Sequence, residues 1–451
     1  MKIAINALPT EIAVIKELLS PWQFSYVSPE EAKVSISYGT EHEPNDGSII
    51  IPSCPKNHIE SSISSKSEFL GNKNRILVSV DGNTVLEITP EVFYCNRTFD
   101  KKASVTDLSS ATGLNGGVLS IDVVTEYFGM INRTLNAKQS LSFRALTKMP
   151  LPYSIVPNGF RKQLLRKRSA TTSLNLNDKL SIDALRFILV EAIERVAKRS
   201  LRKKMWNGKK YCVLLTHDVE TRKGLAKARL MKKLEERYDV RSAWFIPSNR
   251  YKLDLQTIQD LANDGEIGSH DTQHDGKLAA LPKQKMVRRT SEAKLALEKI
   301  TRKPIRGFRA PLLQHSTNLI GALRESNYVY DSSIPTWEPN HPSTMKPHGI
   351  ETVFPLTMNG LTEIPITLPQ DHQLLYVLDL KPKEVVREWL KAASLIKRLG
   401  GLCTFLVHPD YALGSDKMEI YEELLNELVS DKEASITLPV DVARNNVTAL
   451  E

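Results

Sequence analysis

Two acidic residues directly after an apolar run are the first sign of chemistry in this chain. The run Tyr211–Leu215 contains β-branched and aromatic residues and predicts a buried strand, and Asp218 and Glu220 follow where that strand would leave a sheet. While the backbone stays extended, residues two apart project from the same face, so both carboxylates could serve one metal-and-water site. The alternative is a strand followed by a solvated acidic turn.

A pair of histidines supplies further ligand types downstream. His270 and His274 are four residues apart, which predicts that both imidazoles lie on one face of a helical turn and can reach one cation. A carboxylate from elsewhere would complete a three-ligand site with an open position for water. Two unrelated surface or core histidines are the alternative explanation of this spacing.

Three later stretches could complete such a site. Arg309 stands just before Pro311, where it could hold a carboxylate through two parallel hydrogen bonds. Tyr330–Ser333 is a compact polar turn, and Gly401–Asp410 predicts a strand that delivers His408 at its carboxyl end.

In this order the stretches resemble the motifs of the polysaccharide deacetylase (NodB-homology) superfamily, a group of metal-dependent carbohydrate esterases. Thr216–Glu220 resembles the first motif, His270–His274 the paired-histidine second motif, Arg309–Pro311 the third and Leu406–His408 the last. Val240–Ile246 resembles the second strand of the family. The resemblance covers roughly the C-terminal half of the chain and implies a distorted (β/α) barrel with fewer complete strands than eight.

The resemblance also implies a role for each matching residue. It implies a divalent metal, most simply zinc, and a hydrolytic water. By that resemblance the metal ligands are Glu220, His270 and His274, the base is Asp218, its partner is Arg309, the acid is His408, and the oxyanion donor is the Leu312 N–H. Asp371 would contact the substrate or other site groups, with a plain loop acid as the alternative, and weaker candidates for the site are Asp331 and His372.

Two positions depart from the family pattern. Val219 separates Asp218 from Glu220, whereas most members carry adjacent aspartates. Because a glutamate ligand is one methylene longer than aspartate, the two acids could exchange the roles of base and ligand, or the metal site could be weaker. Leu312 stands where an aromatic residue usually follows the proline, which removes an aromatic wall from the expected sugar site. The substrate is therefore less defined than the chemistry.

Composition sets outer limits on function. The chain has 451 residues, enough for two or three domains, with 61 Lys+Arg against 52 Asp+Glu and 41% hydrophobic residues. The basic excess suits an acidic glycan or another anionic surface, but the sequence has no zinc-finger or RNA-binding signature, so nucleic acid is not expected as a partner. Its scattered cysteines indicate reduced thiols, and no signal-peptide core or membrane-length apolar run is present, so a cytoplasmic protein is expected.

The hydrophobic pattern divides the chain into three parts. Residues 1–140 predict a smaller α/β domain of unknown role, 141–206 a linker and connecting helix, and 207–451 the α/β barrel-like catalytic domain. The basic run Arg161–Arg168 favours a solvated linker, with contact to an anionic surface as the alternative. Ser181 is expected to cap the connecting helix.

The sequence thus predicts a hydrolase that removes an N-acyl group, expected to be N-acetyl, from an amino sugar or glycan intermediate. One alternative is an amidase or deformylase acting on a small or lipid-linked amide. Another is a catalytically silent glycan-binding module that keeps the fold.

Overall fold

The chain forms two compact units in the computed structural model, which describes residues 1–39, 47–51, 53, 76–80, 84–88, 119, 121–137, 176–201, 205–339, 341–344, 346–410 and 415–450. One unit is built on Met1–Arg133 with Leu176–Gly208, and the other on Lys209–Ala449 with Thr134–Asn175. The division of the sequence at residues 140 and 206 stays a prediction.

The first unit contains a four-stranded parallel sheet in the order β2-β1-β3-β4. Its strands are β1 Lys2–Asn6, β2 Ser25–Tyr26, β3 Val34–Tyr38 and β4 Ser48–Ile51. The helix Pro9–Leu19 connects β1 to β2, and Pro9 suits its first turn because that position needs no backbone N–H donor. The sequence predicts a hairpin from the runs Arg75–Val80 and Val85–Ile88 on either side of Asp81–Asn83. The structure confirms its antiparallel strands as β5 Ile76–Val80 and β6 Thr84–Ile88.

Two further helices belong to the first unit, Val123–Leu135 for most of its length and Ser181–Ala197. The second was expected to connect two domains, yet its residues Ser181–Val190 are all buried. Ser181 is its first helical residue rather than its cap, because Leu180 occupies the cap position without a side-chain bond. Leu180 and Ile182 are both fully buried at this helix start. Arg161–Arg168, Cys54 and Cys95 lie outside the described residues.

The second unit is organised by a nine-stranded, curled, barrel-like sheet, which confirms the predicted α/β class. Along the sheet the order is β12-β13-β11-β10-β9-β8-β7-β14, and β15 also pairs with β7. The strands are β7 Tyr211–Asp218, β8 Ala243–Ile246, β9 Glu266–Ser269, β10 Gly307–Phe308, β11 Tyr330–Asp331, β12 Leu356–Met358, β13 Leu361–Glu363, β14 Leu402–Leu406 and β15 Ala434–Thr437. Only the β12–β13 pair is antiparallel among these described strands.

Charged helices alternate with the strands of this unit, as parallel pairing requires. They span Arg222–Arg237, Leu255–Asp264, Lys283–Thr301, Thr317–Glu325, Pro382–Leu399, Ser415–Ser430 and Pro439–Leu450. The sequence pattern predicts four of these helices, at Gly224–Tyr238, Lys283–Ile300, Lys383–Leu399 and Lys417–Val429, and the structure confirms each within two residues at each end. None of the described helices has the length and apolar character needed to cross a membrane.

The carboxyl ends of four strands bring the predicted motif residues to one edge of this sheet. β7 ends at Asp218, β9 ends one residue before His270, β10 ends one residue before Arg309, and β14 ends two residues before His408. All eight residues of β7 are buried, so the strand fixes its last side chain within the core of the unit. The sheet therefore assembles residues that are up to 190 positions apart, the separation of Asp218 and His408.

Candidate functional site

A buried arginine holds the carboxylate at the end of β7. Arg309 donates from Nη1 to Asp218 Oδ1 at 3.0 Å and to Thr216 Oγ1 at 2.9 Å. Its Nε and Nη2 donate to the carbonyl and the hydroxyl of Ser332, each at 2.8 Å. Burial alone would raise the pKa of Asp218. The charge of Arg309, together with His408 and, at low pH, His270, outweighs burial and the pKa is lowered. Asp218 is therefore an ionised carboxylate in a fixed position.

Glu220, His270 and His274 form a cluster with the composition of a metal site. One ligand atom from each lies within 4.8 Å of the others, and among the described residues no other group of three meets this criterion. His270 donates from Nδ1 to the Arg309 carbonyl at 2.8 Å, while its Nε2 is buried without a partner in the described part of the chain. Burial lowers the pKa of His270 to about 4, so the ring is neutral and its Nε2 lone pair is available to a cation.

The donor set fits a divalent cation. Two imidazole nitrogens and one carboxylate oxygen are ligands that Zn²⁺ prefers in three-ligand catalytic sites. Asp218 Oδ2 lies 3.8 Å from His270 Nε2, so a second carboxylate stands beside the cluster while its other oxygen is bound by Arg309. The geometry thus separates the two acids, with Glu220 among the ligand atoms and Asp218 next to them.

Three hydrogen bonds to backbone groups hold the segment Asp218–Glu220. The Val219 N–H donates to the Phe245 carbonyl at 3.0 Å, and the Val219 carbonyl accepts from the Tyr251 hydroxyl at 2.8 Å. The Glu220 N–H donates to Asp410 Oδ2 at 2.8 Å, and Asp410 also accepts from the Thr221 hydroxyl. This scaffold places Glu220 beyond the strand end despite the inserted valine.

The paired histidines lie in a loop, so the predicted helical turn is wrong. Asp271 and His274 have positive φ angles of 66° and 52°, which no right-handed helix contains. Arg289 imposes this path from a later helix, donating to Asp271 Oδ1 at 2.6 Å and to Asp275 Oδ2 at 3.1 Å. Arg250 fixes the loop again through the His274 carbonyl at 3.2 Å. The imidazoles converge because of these tertiary contacts rather than helical periodicity.

His408 reaches the same region in a bond with Asp371. Its Nδ1 donates to Asp371 Oδ1 at 2.6 Å, and its backbone N–H donates to Asp371 Oδ2 at 2.8 Å. Burial would lower the pKa of His408, but the charge and hydrogen bond of Asp371, aided by Glu220 and Asp218, raise it to about 10. His408 is therefore a buried imidazolium at neutral pH. Asp371 holds this ring, while its predicted contact with substrate stays a prediction.

The oxyanion candidate Leu312 lies in an unusual backbone conformation. Leu312 and Leu313 both have positive φ angles, 57° and 54°, which leucine rarely adopts. The Leu313 side chain is buried in a cluster with Ile366 and Leu406, so packing holds the strained turn in place. The role of the Leu312 N–H stays a prediction.

The comparisons with known proteins bear on the same part of the chain. Residues 207–330 match the family model described as polysaccharide deacetylase. This part of the chain is a polysaccharide deacetylase domain. The match covers three of the four motifs, and His408 lies beyond its end.

Several solved structures are similar to about half of this chain at low identity. A Mycobacterium smegmatis protein assigned to the polysaccharide deacetylases is 16% identical, with 54% of this chain and 92% of that chain covered and a TM-score of 0.45. A Pseudomonas aeruginosa PAO1 protein with the same assignment is 15% identical, with coverages of 53% and 91% and a TM-score of 0.42. A CE4 family pseudoenzyme from Bacillus anthracis is 13% identical, with coverages of 53% and 66% and a TM-score of 0.37. No curated protein matches this chain.

Several residues of the second unit complete the site although the sequence did not single them out. Thr216 and Ser332 bind Arg309, Asp410 binds the Glu220 backbone, and Arg289 shapes the histidine loop. Thr216, Ser332 and Asp410 lie within stretches that the sequence analysis names, so their position in the sequence is a signal that could have identified them. Arg289 carries no such signal.

The two weaker candidates occupy different places. Asp331 is fully buried in β11 and accepts a hydrogen bond from the Ser333 hydroxyl. The His372 ring lies 5.6 Å from the ring of Tyr376, measured between centroids. Neither residue belongs to the ligand cluster.

Proposed function

We propose that this chain is a metal-dependent hydrolase that removes the N-acetyl group from an amino sugar of a glycan or glycan intermediate. The observation that carries the proposal is the cluster of Glu220, His270 and His274, with Asp218 beside it and the buried pair of His408 and Asp371 at the same sheet edge. The family match of residues 207–330 supports the class of reaction.

The donor atoms of the cluster would hold the cation, most simply Zn²⁺. When bound, a divalent cation lowers the pKa of a water molecule and polarises an acyl carbonyl. Asp218 would accept a proton from the attacking water, and Arg309 keeps that carboxylate ionised and fixes its orientation. The Leu312 N–H would donate to the oxygen that gains negative charge.

His408 would supply the proton that the departing amine nitrogen needs. An amine leaves poorly as an anion, so general acid catalysis is required at this step. The bond between Nδ1 and Asp371 Oδ1 keeps His408 protonated and fixes its ring, so Nε2 would be the nitrogen that gives up the proton. The base and the acid are thus different groups whose environments favour opposite protonation states.

The test combines metal content with product release. Elemental analysis of the full chain should find near-stoichiometric divalent metal, and the same protein should release acetate from N-acetylglucosamine oligomers. His270→Ala should lose both properties, since it removes one ligand. His372→Ala is the matched control, because it removes a histidine outside the cluster and should retain the metal.

The outcomes separate the site from the substrate. Bound metal without acetate release would support the metal site but refute the N-acetyl glycan substrate, and other amides would then be tested as substrates. No bound metal, even after zinc or cobalt is added, would overturn the hydrolase proposal.

A further inference from the structure

A second pair of acids lies buried next to the site, on strands β11 and β13. Asp331 and Glu363 occupy matching positions of these parallel strands. Matching residues of neighbouring strands project to the same face, so the two carboxyl groups face each other. Their exposed fractions are 0% and 1%.

Each carboxyl group has one oxygen bound to the protein and one oxygen left over. Asp331 accepts from the Ser333 hydroxyl, and Glu363 Oε1 accepts from the Ile334 N–H at 2.9 Å. Asp331 Oδ2 and Glu363 Oε2 are buried without another partner in the described part of the chain, and the two side chains are within hydrogen-bonding reach of each other. A carboxylate oxygen can only accept, so this contact requires a proton on one of them.

Electrostatics leads to the same protonation state. Two negative charges cannot both persist at hydrogen-bond distance inside a protein, and no cation is hydrogen-bonded to either group in the described structure. Burial raises the pKa of Asp331 to about 7, and burial together with the Asp331 charge raises the pKa of Glu363 well above its ordinary value. The positive charge of Arg309, which follows β10, opposes both pKa increases. Tyr330 also interacts electrostatically with Asp331, and its hydroxyl donates to Glu266.

The acid pair is connected to the site through the two serines that follow Asp331. Ser333 Oγ accepts from the Ala310 N–H at 2.8 Å while it donates to Asp331. Ser332 supplies its carbonyl and its hydroxyl to Arg309, two of the four bonds that hold this guanidinium. The turn therefore touches both Arg309 and the beginning of the Leu312 loop.

We propose that Asp331 and Glu363 share one proton and act as positioning residues that hold the Ser332–Ser333 turn against Arg309 and Ala310. With the proton shared, all four carboxyl oxygens are satisfied and the turn is held from both ends, at Ser333 by Asp331 and at Ile334 by Glu363. Loss of the proton places two adjacent charges beneath the turn and loosens it. The effect on turnover rests on the proposed function, whereas the shared proton does not.

The direction of the pH dependence follows from the raised pKa values. A carboxyl group whose pKa is higher in the folded chain than in the unfolded chain binds its proton more tightly when folded. Folding stability from this pair is therefore full below the ordinary carboxyl range near pH 4. It declines as the pH rises through about 7, the pKa of Asp331, and further toward the higher pKa of Glu363. An amide in place of one carboxyl should flatten this decline, since an amide does not titrate.

Single and double amide variants test the shared proton on the full chain without its metal. In Glu363→Gln the amide oxygen can accept from Ile334 and the amide nitrogen can donate to Asp331. In Asp331→Asn the equivalent arrangement is available toward Glu363. Each single variant should therefore keep the wild-type thermal midpoint near pH 6 within a few degrees. The double variant forces two NH₂ groups together and should lose more stability than the two single variants combined.

The opposite pattern would overturn the shared proton. If both carboxyl groups were ionised, removing both charges would relieve repulsion, and the double variant would be at least as stable as either single variant. An unchanged pH dependence of stability in Glu363→Gln would refute it as well.

Turnover tests the positioning role separately. Under conditions where the double variant is folded, its kcat should fall at least tenfold with its metal content unchanged, while Glu363→Gln should retain kcat at neutral pH. Full kcat in the folded double variant would refute the positioning role. If the wild type itself releases no acetate, the proposed substrate fails, yet the stability comparison still decides the shared proton.

Discussion

Replacing Asp371 by Asn should move the alkaline limit of the reaction, because Asp371 is the main cause of the raised pKa of His408. The pKa of about 10 keeps the ring protonated well above neutral pH, although burial alone would bring it below the ordinary 6.5. With a pKa at or below about 6.5, roughly a tenth or less of His408 would be protonated at pH 7.5. If His408 is the acid, kcat/KM at that pH should fall at least about tenfold.

The measurement is kcat/KM for acetate release across pH 5.5 to 9.5, with metal content determined on the same samples. The Asp371→Asn protein should bind metal normally, since neither Asp371 nor His408 belongs to the ligand cluster. Its activity should begin to decline near pH 6, whereas wild-type activity should persist beyond pH 9. Lowering the pH should therefore recover part of the loss.

A matched control exists at another buried histidine–carboxylate pair. Glu235 Oε1 lies 2.9 Å from His217 Nε2, and His217 is stacked on Trp244. Glu235→Gln replaces an equally buried carboxyl group, so it should reduce stability without moving the alkaline limit. An alkaline limit shared by wild type and Asp371→Asn would refute the assignment of His408 as the acid.

Two further predictions concern contacts away from the reacting groups. Asp410→Asn deprives either the Glu220 N–H or the Thr221 hydroxyl of its acceptor. Zinc affinity should therefore fall by about 10- to 100-fold in a chelator competition, while thermal stability changes little. Unchanged affinity would show that Glu220 does not need the Asp410 bond to hold the metal. Arg186→Met removes the buried cation that pairs with Glu17 and Asp183, so it should lower the free energy of unfolding by about 3–5 kcal/mol in a urea titration, with part of the loss recovered at acidic pH. A loss below about 1 kcal/mol would contradict this reasoning.

Local patterns in the sequence were sufficient for the elements that carry the site. The apolar run before Asp218 and the helix Lys283–Thr301 are defined by short-range periodicity, and the structure contains both. The strand that delivers His408 was equally clear, because Leu402–Leu406 is continuously apolar apart from Thr404. Where a single strand or helix determines the position of a site residue, the sequence was sufficient to predict that position.

Contacts between distant segments explain what the sequence did not reveal. The spacing of His270 and His274 suggested a helix, yet Arg289 bends that segment into a loop from a helix later in the chain. The bond between Asp371 and His408 spans 37 residues, and no local pattern indicates it. The register in which strands pair is likewise not predictable from local sequence. The opposition of Asp331 on β11 and Glu363 on β13 is seen only in the assembled sheet.

The alternation of side chains along β7 also bears on how faithfully the chain folds. Asp218 turns to the site edge and bonds Arg309, while the preceding residue, His217, bonds Glu235 and the Val407 carbonyl. A slip of one residue in the pairing of β7 would exchange these two side chains between opposite faces of the sheet. The carboxylate would then meet Glu235 and Trp244, and the imidazole would meet a guanidinium. The ionisable residues on the two faces therefore discriminate against misregistered sheets, so the groups proposed for catalysis also encode the alignment of the central strand.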